Sequence, residues 1–278
     1  MIPQIQKKKI LMLVKTYPNP SKSYRETVCT AGITDTGEWI RLYPLVYRNL
    51  KDNQQFKKYS WVEANVYRNN KDTRPESYKV DESTLKVLEV LNAKKDAEER
   101  KKIINPLCKV SLEEIKELYK EQYVSLGIFK PKDVLDLEIV PDYKSWTDEE
   151  QAKLGQLGLF DNKKLKPLEK VPWKFSYKFT CNDERCKTVH KLKITDWELY
   201  QTYRNFKNYY PTEEIALQKL KEKWLNYYFY NEDRESYFIV GTVYPHPTFI
   251  ILGVVSYAKI KKENKKKGSI IEGQMTLI

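Results

Sequence analysis

Glycine is scarce in this 278-residue chain, only nine in all, and the shortage excludes whole classes of function. Dinucleotide and triphosphate sites need glycine where the backbone must approach a phosphate, and neither G-x-G-x-x-G nor G-x-x-x-x-G-K-[ST] occurs. Histidine is scarcer still. His190 and His246 are the only two, too few to assemble an HNH nuclease centre. No G-x-S-x-G elbow supports a serine triad, and no D…E-x-K pattern stands in the setting of a restriction-like nuclease. No run approaches the roughly 18 apolar residues of a membrane-spanning helix. The start, "MIPQIQKKKILMLVK", has a short apolar run broken at Lys15 and lacks a small-residue cleavage site. Four unevenly spaced cysteines do not make a secreted disulfide framework. The expectation is a cytoplasmic protein without a membrane segment.

What the chain has in excess is positive charge. Fifty Lys and Arg against 38 Asp and Glu leave +12, a field that draws polyanions, of which nucleic acid is the commonest in a cell. Aromatic residues reach 13% with 21 Tyr, and the hydrophobic share of 41% supplies a packed core. Rings and cations are interleaved in "WKFSYKF", "YQTYRNFKNYY" and "KEKWLNYYFY", the pairing that single-stranded or distorted nucleic acid favours. Lys178, Arg204 and Lys207 in these stretches, with Arg41 and Arg74 in the first half, are the expected contacts to DNA or RNA.

The order of patterns predicts an α+β protein in two parts. "KILMLVKTY", "ETVCTAGI", "EWIRLYPLVY" and "SWVEANVY" read as strands, with "TDTG" as a tight hairpin between the second and third. In the third, Trp39, Arg41 and Tyr43 share one face, Ile40 and Leu42 the other. Helical spacing is read from residue 83 to about 125, and Ser111 with Glu114 is a capping box. Residues 1–140 are thus expected to form a β-rich partial barrel with a helical insert. A connector with one short helix is expected over 141–172, and a smaller α+β domain with a zinc knuckle over 173–260. In that domain two helices precede two strands joined at "PHP". Residues 261–278 read as a flexible basic tail.

The densest chemistry lies in "FTCNDERCKTVH", where Cys181, Cys186 and His190 form C-x4-C-x3-H. Two thiolates and an imidazole suit tetrahedral zinc. Three ligands leave a fourth to find: His246, Cys29, Cys108 or a water. In "TDWE", Thr195 or Asp196 is placed to cap the next helix. The functional alternative sets Asp196 and Glu198, with His190, around a metal ion for phosphodiester cleavage. In the first half Glu26, Glu38 and Glu76 stand out beside Arg41 and Arg74, with Arg74 and Glu76 flanking the proline of "TRPES".

Three resemblances follow. The last residues, Gln274 to Ile278, resemble the peptide by which bacterial replication and repair proteins dock on the DNA sliding clamp, which implies partner contacts from Gln274, Leu277 and Ile278. "GEWIRLYPL", "RPES" and the C-x4-C-x3-H element running into "DWE" resemble a bacterial family of hypothetical proteins that carries no assigned activity. The front half is similar in outline to PUA- and ASCH-like barrels, which implies RNA or modified bases as ligands. Together these readings predict a nucleic-acid-binding accessory protein in DNA repair, replication or phage defence. A metal-dependent nuclease and a protein-interaction adaptor are the alternatives.

Overall fold

The fold is organised around the first strand, whose apolar run is covered on both faces. The computed structural model describes residues 4–69, 71–92, 95–155 and 166–259. In β1 (Gln6–Lys15) alternate side chains turn to opposite faces. Ile10 and Met12 enter one buried cluster, Leu11 and Leu13 another. β2 (Asn19–Ser21), β3 (Arg25–Thr34), β4 (Trp39–Leu45), β5 (Ser60–Arg68), β6 (Ser77–Val80) and β7 (Lys86–Val90) follow.

The order β1–β3–β4–β6–β5, with β5 pairing back onto β1, closes a five-stranded barrel. Closure goes beyond the partial barrel expected, and it removes the exposed edges an open sheet would carry. Ile10, Met12, Ile40, Leu42, Val62 and Val66 fill its interior. The hairpin between β3 and β4 is where the sequence placed it. Gly37 has φ +84°, a left-handed conformation that glycine adopts without strain, and its N–H bonds Thr34 O at 2.9 Å.

Helical spacing from residue 83 does not hold. Lys86–Val90 is strand β7, because Val87 and Val90 pair with Val62 and Ser60 on β5, and β-branched residues favour that pleated surface. Helix α1 is confined to Ala97–Ile104. After it come β8 (Cys108–Lys109), α2 (Leu112–Gln122), β9 (Leu126–Phe129), β10 (Pro131–Pro141), α3 (Asp148–Gly155), β11 (Trp173–Cys181), β12 (His190–Lys193), α4 (Trp197–Tyr209) and α5 (Glu213–Glu222). A π-helical segment, Lys223–Tyr230, then leads to β13 (Arg234–Thr242) and β14 (Phe249–Ala258).

Two further sheets result, β10–β11–β12 and β14–β13–β9–β8. The second takes β8 and β9 from before residues 141–172 and β13 and β14 from after them. It packs on the outside of the barrel, where Leu11, Leu13 and Trp61 meet Leu126, Ile239 and Leu252. A third cluster, rich in rings such as Phe129, Phe175, Tyr177 and Phe238, lies between the sheets and the helices. Among the described residues no helix is long and apolar enough to cross a membrane.

Candidate metal centre and aromatic pocket

Local turn chemistry brings the cysteines and the histidine together. Cys181 ends β11 and His190 opens β12, where it pairs with Phe179. Between them Asp183 accepts the Arg185 N–H at 3.0 Å, and Cys186 N–H bonds Asp183 O at 2.9 Å, tightening the loop. Helix α2 docks on that loop by its N-terminus. Its cap, Ser111, accepts the Glu114 N–H at 3.1 Å and donates its hydroxyl to Asp183 Oδ2 at 2.9 Å. This contact brings Glu113, in the first turn of α2, up to the cysteines and the histidine. The ligand atoms of Glu113, Cys181, Cys186 and His190 all lie within 4.8 Å of one another.

Two of the ligand separations can be set beside those of a tetrahedral ion, one matching and one about 0.5 Å shorter. Zinc bonds of about 2.0–2.1 Å to nitrogen or oxygen and about 2.3 Å to sulfur imply edges of about 3.3 Å and 3.5 Å for N–O and S–N pairs. His190 Nε2 is 3.3 Å from Glu113 Oε1 and 3.0 Å from Cys186 Sγ. Burial pushes the Cys181 thiol up to about 12, and the Glu113 carboxylate adds to this. Burial also lowers the His190 pKa. Glu113 is held below the usual carboxylate range; burial opposes its charge, but hydrogen bonding from Cys181 and the nearby His190 outweigh that. A cation would displace the thiol protons.

A second arrangement lies between barrel and helices: a pocket of about 560 Å³. Its rings are Tyr47, Phe56, Tyr59, Trp197, Tyr227 and Tyr228, and its cations Lys15, Lys57, Lys58, Arg100 and Arg234. Asp196 and Glu198 supply the carboxylates. Asp196 caps α4, accepting the Glu198 N–H at 2.7 Å, while its other oxygen accepts the Val254 N–H at 3.2 Å. Burial pushes it up to about 6, against the pull of Lys58. The Arg100 guanidinium lies 3.4 Å from the Tyr59 ring centroid and 5.3 Å from that of Tyr257.

The residues singled out in the sequence fall into several places. Cys181, Cys186 and His190 come together, and the fourth group is Glu113. Cys29 instead bonds Arg41, Cys108 lies by Ile104, and His246 is exposed in the turn between β13 and β14. Among the described residues His190 does not share a metal-ligating group with Asp196 and Glu198, which face Lys58.

Arg41 and Arg74 are inside the protein. Arg41 points away from the barrel interior, as its position in β4 predicts, yet it is only 2% exposed because the second sheet covers that face. Its guanidinium bonds Cys29 Sγ at 3.1 Å and Ser125 Oγ at 3.0 Å, and Glu76 accepts the Ser125 N–H at 3.0 Å. Arg74 grips Asp72 at 2.6 Å and 2.8 Å and bonds Thr242 O at 2.9 Å. Lys178 pairs with Glu138 at 3.2 Å and Arg204 with Glu169 at 2.6 Å, while Lys207 is exposed. Gln274, Leu277 and Ile278 lie outside the described residues. Sequence reasoning missed Glu113, Lys15, Lys58 and Arg100. The acidic start of "SLEEIKELYK" was the one available signal for the first of these.

None of the curated proteins compared with the chain matches it. Residues 6–106 match a family described as Domain of unknown function (DUF8758). Residues 108–270, more than half of the chain, match a second family, and the chain therefore belongs to that one, Domain of unknown function (DUF8757).

Proposed function

We propose that this is a nucleic-acid-binding accessory protein whose second half is fastened by zinc. The observation that carries the first part is the lining of the pocket, six rings beside five cations around about 560 Å³. Of these cations Arg100, 1% exposed, and the ion-paired Lys58 are engaged within the protein and leave Lys15, Lys57 and Arg234 to meet a ligand. That volume is within the range of about 300–1,000 Å³ typical of small-ligand sites. Ring faces stack on unpaired bases of any sequence, and lysine and arginine take the phosphates. The net charge of +12 adds the long-range attraction. Arg41 and Arg74 have no part in this reading, since their guanidinium groups are engaged inside the protein. The test is affinity for single- and double-stranded DNA and RNA across a salt series. Binding that weakens steadily with salt, and that drops in Trp197→Ala, supports the proposal. Negligible affinity even at low salt refutes it.

The zinc half of the proposal is carried by the four ligand atoms within 4.8 Å. The role is structural, because the ligands tie a helix N-terminus to a strand–loop–strand unit and none of them lines the aromatic pocket. Elemental analysis tests it. Stoichiometric zinc that disappears in Cys181→Ser is expected, and a metal-free wild-type protein after purification with added zinc refutes it.

A further inference from the structure

The pocket holds two lysines in opposite settings. Lys58 Nζ is 3.5 Å from Glu198 Oε2 and 3.7 Å from Asp196 Oδ2, and it donates to Val254 O at 2.5 Å. These partners take up both carboxylates of the wall. Lys15 ends β1 on the same wall, and among the described residues no carboxylate lies within ion-pair distance of it. Rings enclose it instead. Its Nζ lies 3.4 Å from the Tyr47 ring centroid, 4.3 Å from that of Trp197 and 5.9 Å from that of Phe56.

We propose that Lys15 is a nucleophilic amine that forms an imine with an aldehyde carried beside a phosphate. The ring-opened sugar of an abasic nucleotide is the source consistent with the nucleic-acid reading, on which this inference rests. The Nζ lone pair attacks the aldehyde carbon to give a carbinolamine. The former carbonyl oxygen then leaves as water, taking the two hydrogens of the attacking NH2, and a C=N bond remains. No oxidant or reductant is consumed. Solvent relays the protons between nitrogen and oxygen, while Glu198, its side chain 48% exposed, stays beside Lys58 on the open side of the wall. Lys57, exposed on the same wall, takes the phosphate.

Burial is consistent with this role. It holds Lys15 down to about 7, against the opposing pull of Glu198 and Asp196, so that an uncharged fraction exists near neutrality. Desolvation in a carbon-lined site is one way amine nucleophiles are activated. Lys58 is held above the usual lysine range; burial opposes its charge, but Glu198 and Asp196 outweigh it. It therefore stays an ammonium. Tyr47 and Tyr228 are raised by burial and stay neutral. Arg100 and Arg234 lie on other walls of the pocket.

The experiment is reductive trapping. The protein is incubated with cyanoborohydride and either an oligonucleotide bearing one abasic site or 2-deoxyribose 5-phosphate, and the adduct is located by peptide mass spectrometry. A covalent product at Lys15 is expected. It should vanish in Lys15→Met and in Lys15→Arg, which keeps a cation among the rings, and persist in Lys132→Met on the outer surface. The trapping rate should rise with pH to a midpoint near 7. Undiminished trapping in Lys15→Arg, adducts scattered over exposed lysines, or a midpoint near the ordinary lysine value of about 10.4 would each overturn it. Salt-sensitive binding of undamaged DNA with no adduct at Lys15 sinks this inference alone. An adduct from the free sugar phosphate without affinity for any strand supports the amine chemistry and sinks the nucleic-acid reading.

Discussion

Glu113 Oε1 stands 3.3 Å from His190 Nε2, the first turn of a helix against the first residue of a strand. The two meet because Ser111 caps α2 and donates to Asp183 in the cysteine loop. If an ion sits between them, the carboxylate is a ligand and its loss weakens the site without unmaking the cysteines. Glu113→Ala is expected to bind zinc on the order of 10–100-fold more weakly, the scale seen even for outer-sphere partners of metal ligands. Competition against a chromophoric chelator measures it. Equal affinity in the variant would place Glu113 outside the coordination sphere.

The ion pair of Asp72 and Arg74 is buried, with side chains 5% and 6% exposed, and Arg74 also reaches Thr242 of β13. Breaking one side of such a pair leaves an uncompensated charge and costs about 3–5 kcal/mol. Asp72→Asn should lose stability on that scale in urea titration. Burial opposes the charge on Asp72, but Arg74 holds its carboxyl below the usual range. Its contribution is therefore present above the unfolded carboxylate value and is lost as pH falls through the folded one. The Asn variant should lack that part of the acid limb. A loss below about 0.5 kcal/mol, the size of an ordinary surface change, would mean the pair is not the joint it looks.

Local signals in the sequence were legible where one element decides the outcome. The β1 run, the "TDTG" hairpin, the Ser111 cap and the Asp196 cap all depend on residues a few positions apart, and each is found. Cys181, Cys186 and His190 were legible for the same reason. Glu113 was not: an acid in the first turn of a helix is explained by the helix dipole alone, and nothing marks it out from Glu114. Barrel closure needs β1 to pair with β5, a long-range event without a local signature. The burial of Arg41 and Arg74 was hidden likewise, because only the packing of the second sheet covers them. The pocket is assembled from separate segments that carry Lys15, Tyr47, Arg100, Trp197 and Tyr227.

Gly253 of β14 allows the close approach that positions Asp196. A Cβ built there would lie 2.6 Å from Val14 Cγ1 and 2.8 Å from Asp196 Oδ2. Both neighbours are buried, so the clash has to be absorbed by β1 or by the start of α4. Overpacking of this kind costs about 1–3 kcal/mol. Gly253→Ala should lose that much in thermal or denaturant unfolding, and it should weaken any ligand of the pocket through the displaced Asp196 and Lys58. Unchanged stability would show that β14 has room to shift.

Lys15 makes the last case, because its burial has a sign that stability measurements can read. Its pKa is lowered from 10.5 to about 7, burial being the larger cause. Between those values the unfolded chain binds a proton that the folded chain does not, so stability from this group rises with pH across that window and is lowest below it. Lys15→Met keeps the length of the side chain and removes the charge. The variant should be more stable than the parent at pH 6 and should lose that advantage as the pH approaches 10. Parallel stability curves for the two proteins would mean that the rings around Lys15 hold its ammonium form as comfortably as water does, and the amine would then be an ordinary cation.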